Sequence, residues 1–141
     1  MSRIYWDTML FAYLLEANPD YGPRTREIYS RMKQRGDTLL TSVFTTGEVL
    51  SGPYKRGDGR TASAIRNLMR PPRVELLPFN LETANRYAEI RAAHRVAPAD
   101  AIHLATAAVA GVNLFLTNDR VLPKLVVPGI DFIAGLNVNL F

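Results

Sequence analysis

The chain has 141 residues, 48% of them hydrophobic, enough for one continuous core, so a single domain over residues 1–141 is expected. It contains no cysteine, which excludes disulfides, thiolate zinc sites and cysteine nucleophiles; any catalysis must rest on oxygen or imidazole chemistry. Seventeen Lys and Arg against thirteen acids give a formal net charge of +4, a modest bias toward polyanionic partners.

Arg3 to Asp7 (RIYWD) is β-branched and aromatic and reads as a first strand with an acid at its carboxyl end; alternation should bury one of Tyr5 and Trp6. Thr8 to Leu15 follows as an apolar helical segment. It is too short to span a bilayer, and it is bracketed by Asp7 and Glu16 where a signal peptide carries neither, so the chain reads as cytoplasmic with no membrane association. Asn18 to Pro23 is turn chemistry, and Arg24 to Arg35 is a polar helix closed by Gly36 and Asp37. Asp37 to Thr41 gives a short strand and Val43 to Leu50 a short helix, carrying Glu48, that should stop at Gly52 and Pro53. Gly52 to Arg60 (GPYKRGDGR) reads as a flexible basic loop, and Thr61 to Met69 as a helix ended by Pro71 and Pro72. Val74 to Leu77 is a third strand and Leu81 to His94 a helix. Pro98 to Ala110 is a very apolar, buried helix opened by proline. Leu114 to Leu116 is a strand ending in Thr117-Asn118-Asp119, and Ile130 to Ile133 a last strand after a Pro-Gly turn.

Strands alternating with helices define the α/β class, a mostly parallel sheet covered on both faces, because parallel neighbours need crossover connections. Ligand sites in such sheets lie beyond the carboxyl ends of the strands, where Asp7 and Asp119 should emerge. Asp100, in the first turn of the buried helix, reaches the same edge if the crossover is tight. Each acid also has a structural role open to it: Asp7 as an N-cap, Asp100 as a macrodipole complement, Asp119 as a turn residue, Glu48 as a solvated helix residue. The turn after the first strand, Asp7-Thr8-Met9-Leu10, has no glycine, which argues against a dinucleotide or P-loop site. Met9 stands where a phosphoaspartyl phosphatase usually has its second acid.

Four segments resemble the PIN-domain ribonucleases, and in particular the toxins of VapC-type toxin–antitoxin pairs. They are the hydrophobic strand ending in Asp7-Thr8, Thr46-Gly47-Glu48-Val49, Pro98-Ala99-Asp100-Ala101-Ile102-His103-Leu104-Ala105, and Leu116-Thr117-Asn118-Asp119-Arg120. The resemblance runs from Ile4 to Ile133 and is weakest over Gly52 to Arg60 and the helix after it. It implies an α/β/α sandwich around a five-stranded parallel sheet, with Asp7, Glu48, Asp100 and Asp119 gathered at one edge to hold Mg²⁺ or Mn²⁺ for endonucleolytic hydrolysis of RNA. On that reading Asp7, Asp100 and Asp119 hold metal directly or through water, and Glu48 orients or deprotonates the attacking water; one cation or two are equally open.

Thr8, Thr117 and Asn118 flank these acids and could orient carboxylates or waters. His103, one turn beyond Asp100, reads as a buried structural histidine, and His94 as a surface one. Arg120, Lys55, Arg56 and Arg60, with Arg66, Arg70 and Arg73 beyond, could track an RNA backbone or form a solvated basic face. The resemblance further implies a homodimer and an antitoxin protein that blocks the acidic cleft. Two alternatives stay open: a PIN-like module that binds RNA or protein without cutting, and an RNA-processing PIN nuclease outside any toxin–antitoxin pair.

Overall fold

Five parallel strands in the order β3-β2-β1-β4-β5 form the middle layer of a computed structural model that describes residues 1–141. In chain order the elements are β1 (Arg3–Trp6), α1 (Thr8–Leu15), α2 (Gly22–Arg35), β2 (Thr38–Ser42), α3 (Val43–Lys55), α4 (Gly59–Leu68), β3 (Glu75–Leu77), α5 (Leu81–Ala93), α6 (Pro98–Ala110), β4 (Val112–Leu116) and β5 (Ile130–Ala134). A short 3-10 turn lies at Leu122–Lys124. The expected α/β class is therefore found, with a sheet that is wholly parallel. No helix is long and apolar enough to cross a membrane.

A parallel sheet covered on both faces needs two cores, and the strand alternation supplies them. Ile4 and Trp6 of β1, with Leu39 and Leu116, pack against Leu10 and Phe11 of α1, Ile28 and Met32 of α2, and Ile65 of α4. Tyr5, Leu40 and Phe115 point the other way and pack against Ile90 of α5 and the small-residue face of α6, including Ala101, Leu104, Ala105 and Ala108. The expectation that only one of Tyr5 and Trp6 would be buried is corrected: both are 0% exposed. β1 is the central strand, so neither of its faces meets solvent.

A second correction concerns Gly52 to Arg60. α3 does not stop at Gly52 but runs through Pro53 to Lys55, and α4 starts at Gly59. Proline in a helix forfeits one hydrogen bond, here to the carbonyl of Val49, but Pro53 sits in the last turn and its ring is buried. Its burial and the following cap offset that loss. Asp58 accepts the Thr61 N–H at 3.1 Å and the Thr61 hydroxyl at 2.6 Å, an N-cap that starts α4 two residues earlier than the apolar pattern indicated. What remains between the helices is Arg56 to Asp58.

α6 ends at Gly111, whose positive φ of 71° lets its N–H reach the carbonyls of Ala107 and Ala108. Gly129, in the turn before β5, has φ 99°, and a Cβ there would collide with the carbonyl oxygen of Ala108; at Gly111 a Cβ would meet nothing within 4 Å. Gly111→Ala is therefore expected to cost about 1 kcal/mol for the left-handed backbone alone. Gly129→Ala should cost about 3 kcal/mol, strain and overlap together. Urea denaturation of both variants checks this, and equal losses would show that Gly129 is not crowded.

Candidate active site

The chain runs from β1 outward to β2 and β3, then returns to place β4 on the other side of β1. The crevice beyond the carboxyl ends of β1 and β4 is thus the point where the direction of winding reverses, the usual ligand position in open α/β sheets. Register sets Trp6 opposite Leu116, so Asp7 and Thr117 leave the two strands side by side. The Asp7 N–H donates to the Leu116 carbonyl at 3.0 Å, and the Thr117 hydroxyl donates to Asp7 Oδ2 at 2.8 Å. Asp7 Oδ1 accepts the Thr8 N–H and caps α1. Asp7 thus fills the structural role open to it and lies on the cleft as well.

α3 and α6 bring the remaining groups. Ser42 caps α3 by accepting the Thr45 N–H, and Glu48, in its second turn, receives hydrogen bonds on Oε1 from the Thr8 hydroxyl and from His103 Nε2, the latter at 2.8 Å. Pro98 opens α6, and its i,i+3 spacing sets Asp100 and His103 on one face. Asp7, Thr8, Glu48, Asp100, Asn118 and Asp119 line one cleft of about 310 Å³, with His103 at its floor. Thr117 is buried beneath Asp7. Asn118 donates to the Tyr13 hydroxyl at 2.9 Å, not to an acid. Asp119 Oδ1 accepts the N–H groups of Val121 and Leu122, a turn role, while its own N–H donates to Thr117 Oγ1. Arg120 lines the adjoining cavity, whereas Lys55, Arg56 and Arg60 are exposed on the α3–α4 corner and line neither.

His103 is buried, as the sequence indicated, but its partners were not foreseen. Nδ1 lies 2.7 Å from the Tyr5 hydroxyl and Nε2 3.5 Å from Asp7 Oδ1. An ionised Glu48 can only accept, so Nε2 carries a hydrogen toward it; on the other side of the ring the Tyr5 phenol, which burial pushes up and keeps protonated, lies against Nδ1. The spacing of His103 one turn after Asp100 was the available signal.

The two half-buried acids are driven in opposite directions. The His103 hydrogen bond, helped by Thr8, holds Glu48 below the ordinary carboxylate range in spite of its burial. Burial, then the charges of Asp7 and Asp119, push Asp100 up, only partly opposed by His103. An all-oxygen donor set with one carboxylate destabilised by its neighbours fits a hard divalent cation. No three of the acidic and imidazole groups converge on one point at ligand distance, so water would complete the coordination, as Mg²⁺ ordinarily requires.

A doubly covered parallel sheet with an acid-lined crevice at its reversal point defines the class of protein. The chain belongs to the PIN-domain family, whose sequence pattern matches residues 4–127. Nothing among curated protein sequences matches it. Among solved structures it is similar to VapBC2 from Rickettsia felis bound to a promoter DNA fragment, with TM-score 0.70, 14% identity, and coverage of 94% of this chain and 98% of that one. It is similar also to a Klebsiella pneumoniae toxin–antitoxin complex (0.63, 19%, 90% and 94%) and to VapC20 of Mycobacterium tuberculosis, a sarcin–ricin-loop-cleaving toxin (0.66, 17%, 79% and 86%). At these identities the likeness is one of fold.

An acid whose folded pKa is raised adds stability below its ordinary value of 3.8 and loses it as pH rises through the raised value. In EDTA at pH 7, Asp100→Asn should therefore melt higher than the parent, by about 1 to 3 °C once solvent screening of a half-exposed group is discounted. The gain should vanish below pH 3.8. A lower melting temperature for Asp100→Asn at pH 7 would show that the acids do not repel.

Proposed function

We propose that this chain is a divalent-metal-dependent endoribonuclease, using Mg²⁺ or Mn²⁺, and the toxin of a toxin–antitoxin pair. The observation that carries the reading is the convergence of Asp7, Glu48, Asp100 and Asp119, from four separate segments, on one cleft at the sheet's reversal point. The net charge of +4 and the exposed Arg120 at the rim suit a polyanion, and the shared fold with a loop-cleaving toxin supports a nuclease.

Asp7, Asp100 and Asp119 would hold the cation, directly or through water. When bound, it supplies positive charge to the phosphate oxygens and makes water more acidic. Glu48 uses Oε1 for Thr8 and His103, which leaves Oε2 to orient the attacking water and take its proton. His103 fixes that carboxylate, and Tyr5 fixes His103. Thr117 and the Thr8 N–H hold Asp7 from both sides. Lys55, Arg56 and Arg60, outside the cleft, would serve RNA only as distant phosphate contacts.

An antitoxin would act by covering the acid cleft, as the similarity to toxin–antitoxin complexes suggests, and a homodimer in the cytoplasm completes the reading. A non-catalytic PIN module remains the second reading, favoured by one observation: Asp7 and Asp119 both perform capping work that would keep them in place without chemistry.

Purified protein incubated with a mixed cellular RNA pool in Mg²⁺, Mn²⁺ or EDTA decides between them. The expected result is cleavage that needs metal, with Glu48→Gln slower by roughly 10² to 10⁴-fold and Asp100→Asn inactive. Equal cutting by Asp100→Asn, or cutting in EDTA, would overturn the site.

A further inference from the structure

The acid cleft does not end at Asp119. Asn118 and Asp119 also line a second cavity of about 590 Å³, which continues past Arg120 to Tyr21 and to the segment after β5. Arg24 and Asn118 spend their polar groups on structure, whereas Arg120 and the Tyr21 ring keep surface open. Arg24 donates from Nε to the Leu136 carbonyl at 2.7 Å and from a terminal nitrogen to the Val138 carbonyl at 2.8 Å, and it pairs with Glu27. Asn118 is held by Tyr13. Arg120 is exposed and pairs with no acid of the chain, and Tyr21 keeps 38% of its surface open.

Tyr21 is unusually well fixed for an exposed aromatic residue. Its N–H and that of Asp20 both donate to Asn18 Oδ1, closing an Asx turn. Its carbonyl accepts from the N–H and hydroxyl of Thr25 at the start of α2. Its ring rests on Tyr13, centroids 4.9 Å apart at 34°, and the Tyr13 hydroxyl is the group that receives Asn118. A ring held in this way loses little freedom when a second flat group settles on it. Burying an aromatic hydroxyl partner under Tyr21 also ties the platform mechanically to the residue next to Asp119.

We propose that this second cavity is the subsite for the nucleotide next to the scissile phosphate in single-stranded RNA, its base stacked on Tyr21 and its phosphate paired with Arg120. The inference rests on the ribonuclease reading and adds what that reading lacks, a reason for the strand to run in one direction out of the acid cleft. Every base has a π-face, so stacking on Tyr21 holds a nucleotide without choosing its identity. Selection would come from an unpaired strand being needed to splay that base, which duplex RNA does not offer.

The test measures binding, with catalysis silenced. In an Asp100→Asn background with Mg²⁺, a set of 12-nucleotide mixed-sequence single-stranded RNAs, each with one 2-aminopurine at a different position, is titrated and the fluorescence followed. One position should be quenched on binding. Tyr21→Ala should remove that quench and weaken binding roughly 5- to 150-fold, the range for one stacked base. Tyr21→Phe, which keeps the ring, should restore both. Arg120→Gln should lower the slope of log affinity against log salt by about 0.7, one phosphate on a single strand. RNA that binds with no quenched position, or with a quench that Tyr21→Ala leaves in place, overturns the subsite while leaving the nuclease reading intact. Failure of the parent protein to cut RNA in any metal, together with no binding of these strands, overturns both.

Discussion

The hydrogen bond from Thr117 to Asp7, backed by the Asp7 N–H on the Leu116 carbonyl, closes the seam between β1 and β4. The two strands are paired along their length up to Trp6 and Leu116, and these two bonds carry the contact one residue further, past the strand ends. The geometry of the cleft follows from that seam. With Asp7 fixed, α1 starts from a capped end, Thr8 faces Glu48, and the turn through Asn118 and Asp119 departs from a defined point. A parallel sheet generates such a seam wherever its winding reverses, which is why the acids need not be neighbours in sequence to be neighbours in space.

Behind the acids lies a chain of buried polar groups: Tyr5, His103, Thr45 and Thr41, with Glu48 at its exposed end. In a low-dielectric interior such a chain is costly unless every member is partnered, and once partnered it resists rearrangement. The Glu48 carboxylate therefore sits on a partnered support that runs from His103 of α6 to Tyr5 of β1 and, through Thr45, to Thr41 of β2. The opposite signs of the Glu48 and Asp100 shifts come from this asymmetry. One acid has a donor bonded to it, and the other meets burial and like charges that His103 only partly offsets.

Much of this was legible from local chemistry. The bounds of α1 follow from Asp7 and the apolar run Thr8 to Leu15, and those of α6 from Pro98 and the apolar run to Ala110, each a signal carried by adjacent residues. The acids at strand ends were visible for the same reason. What was missed depends on contacts distant in sequence. Pro53 stays helical because its ring is buried against the fold, and Tyr5 and Trp6 are both buried because helices cover both sides of β1, facts no alternation rule contains. The His103 to Glu48 contact spans two crossovers, and its one local trace was the spacing of His103 from Asp100. Tyr21 reads as a turn residue until its stacking on Tyr13 is seen.

The two cavities are built from different kinds of material. The acid cleft is walled by the ends of strands and helices, whereas the wall at Leu136 to Val138 follows β5 without regular structure and is held by the Arg24 guanidinium on two carbonyls and by the buried Leu136 side chain. Local opening takes the weakest-held segment first. The backbone of residues 136–138 donates only the Val138 bond to the Gly135 carbonyl, so hydrogen exchange should run through it before it reaches Asp7, whose N–H is held by Leu116. If the outer chamber holds a nucleotide as proposed, the length of strand gripped would depend on a segment without ladder hydrogen bonds, and the chemistry on one that has them.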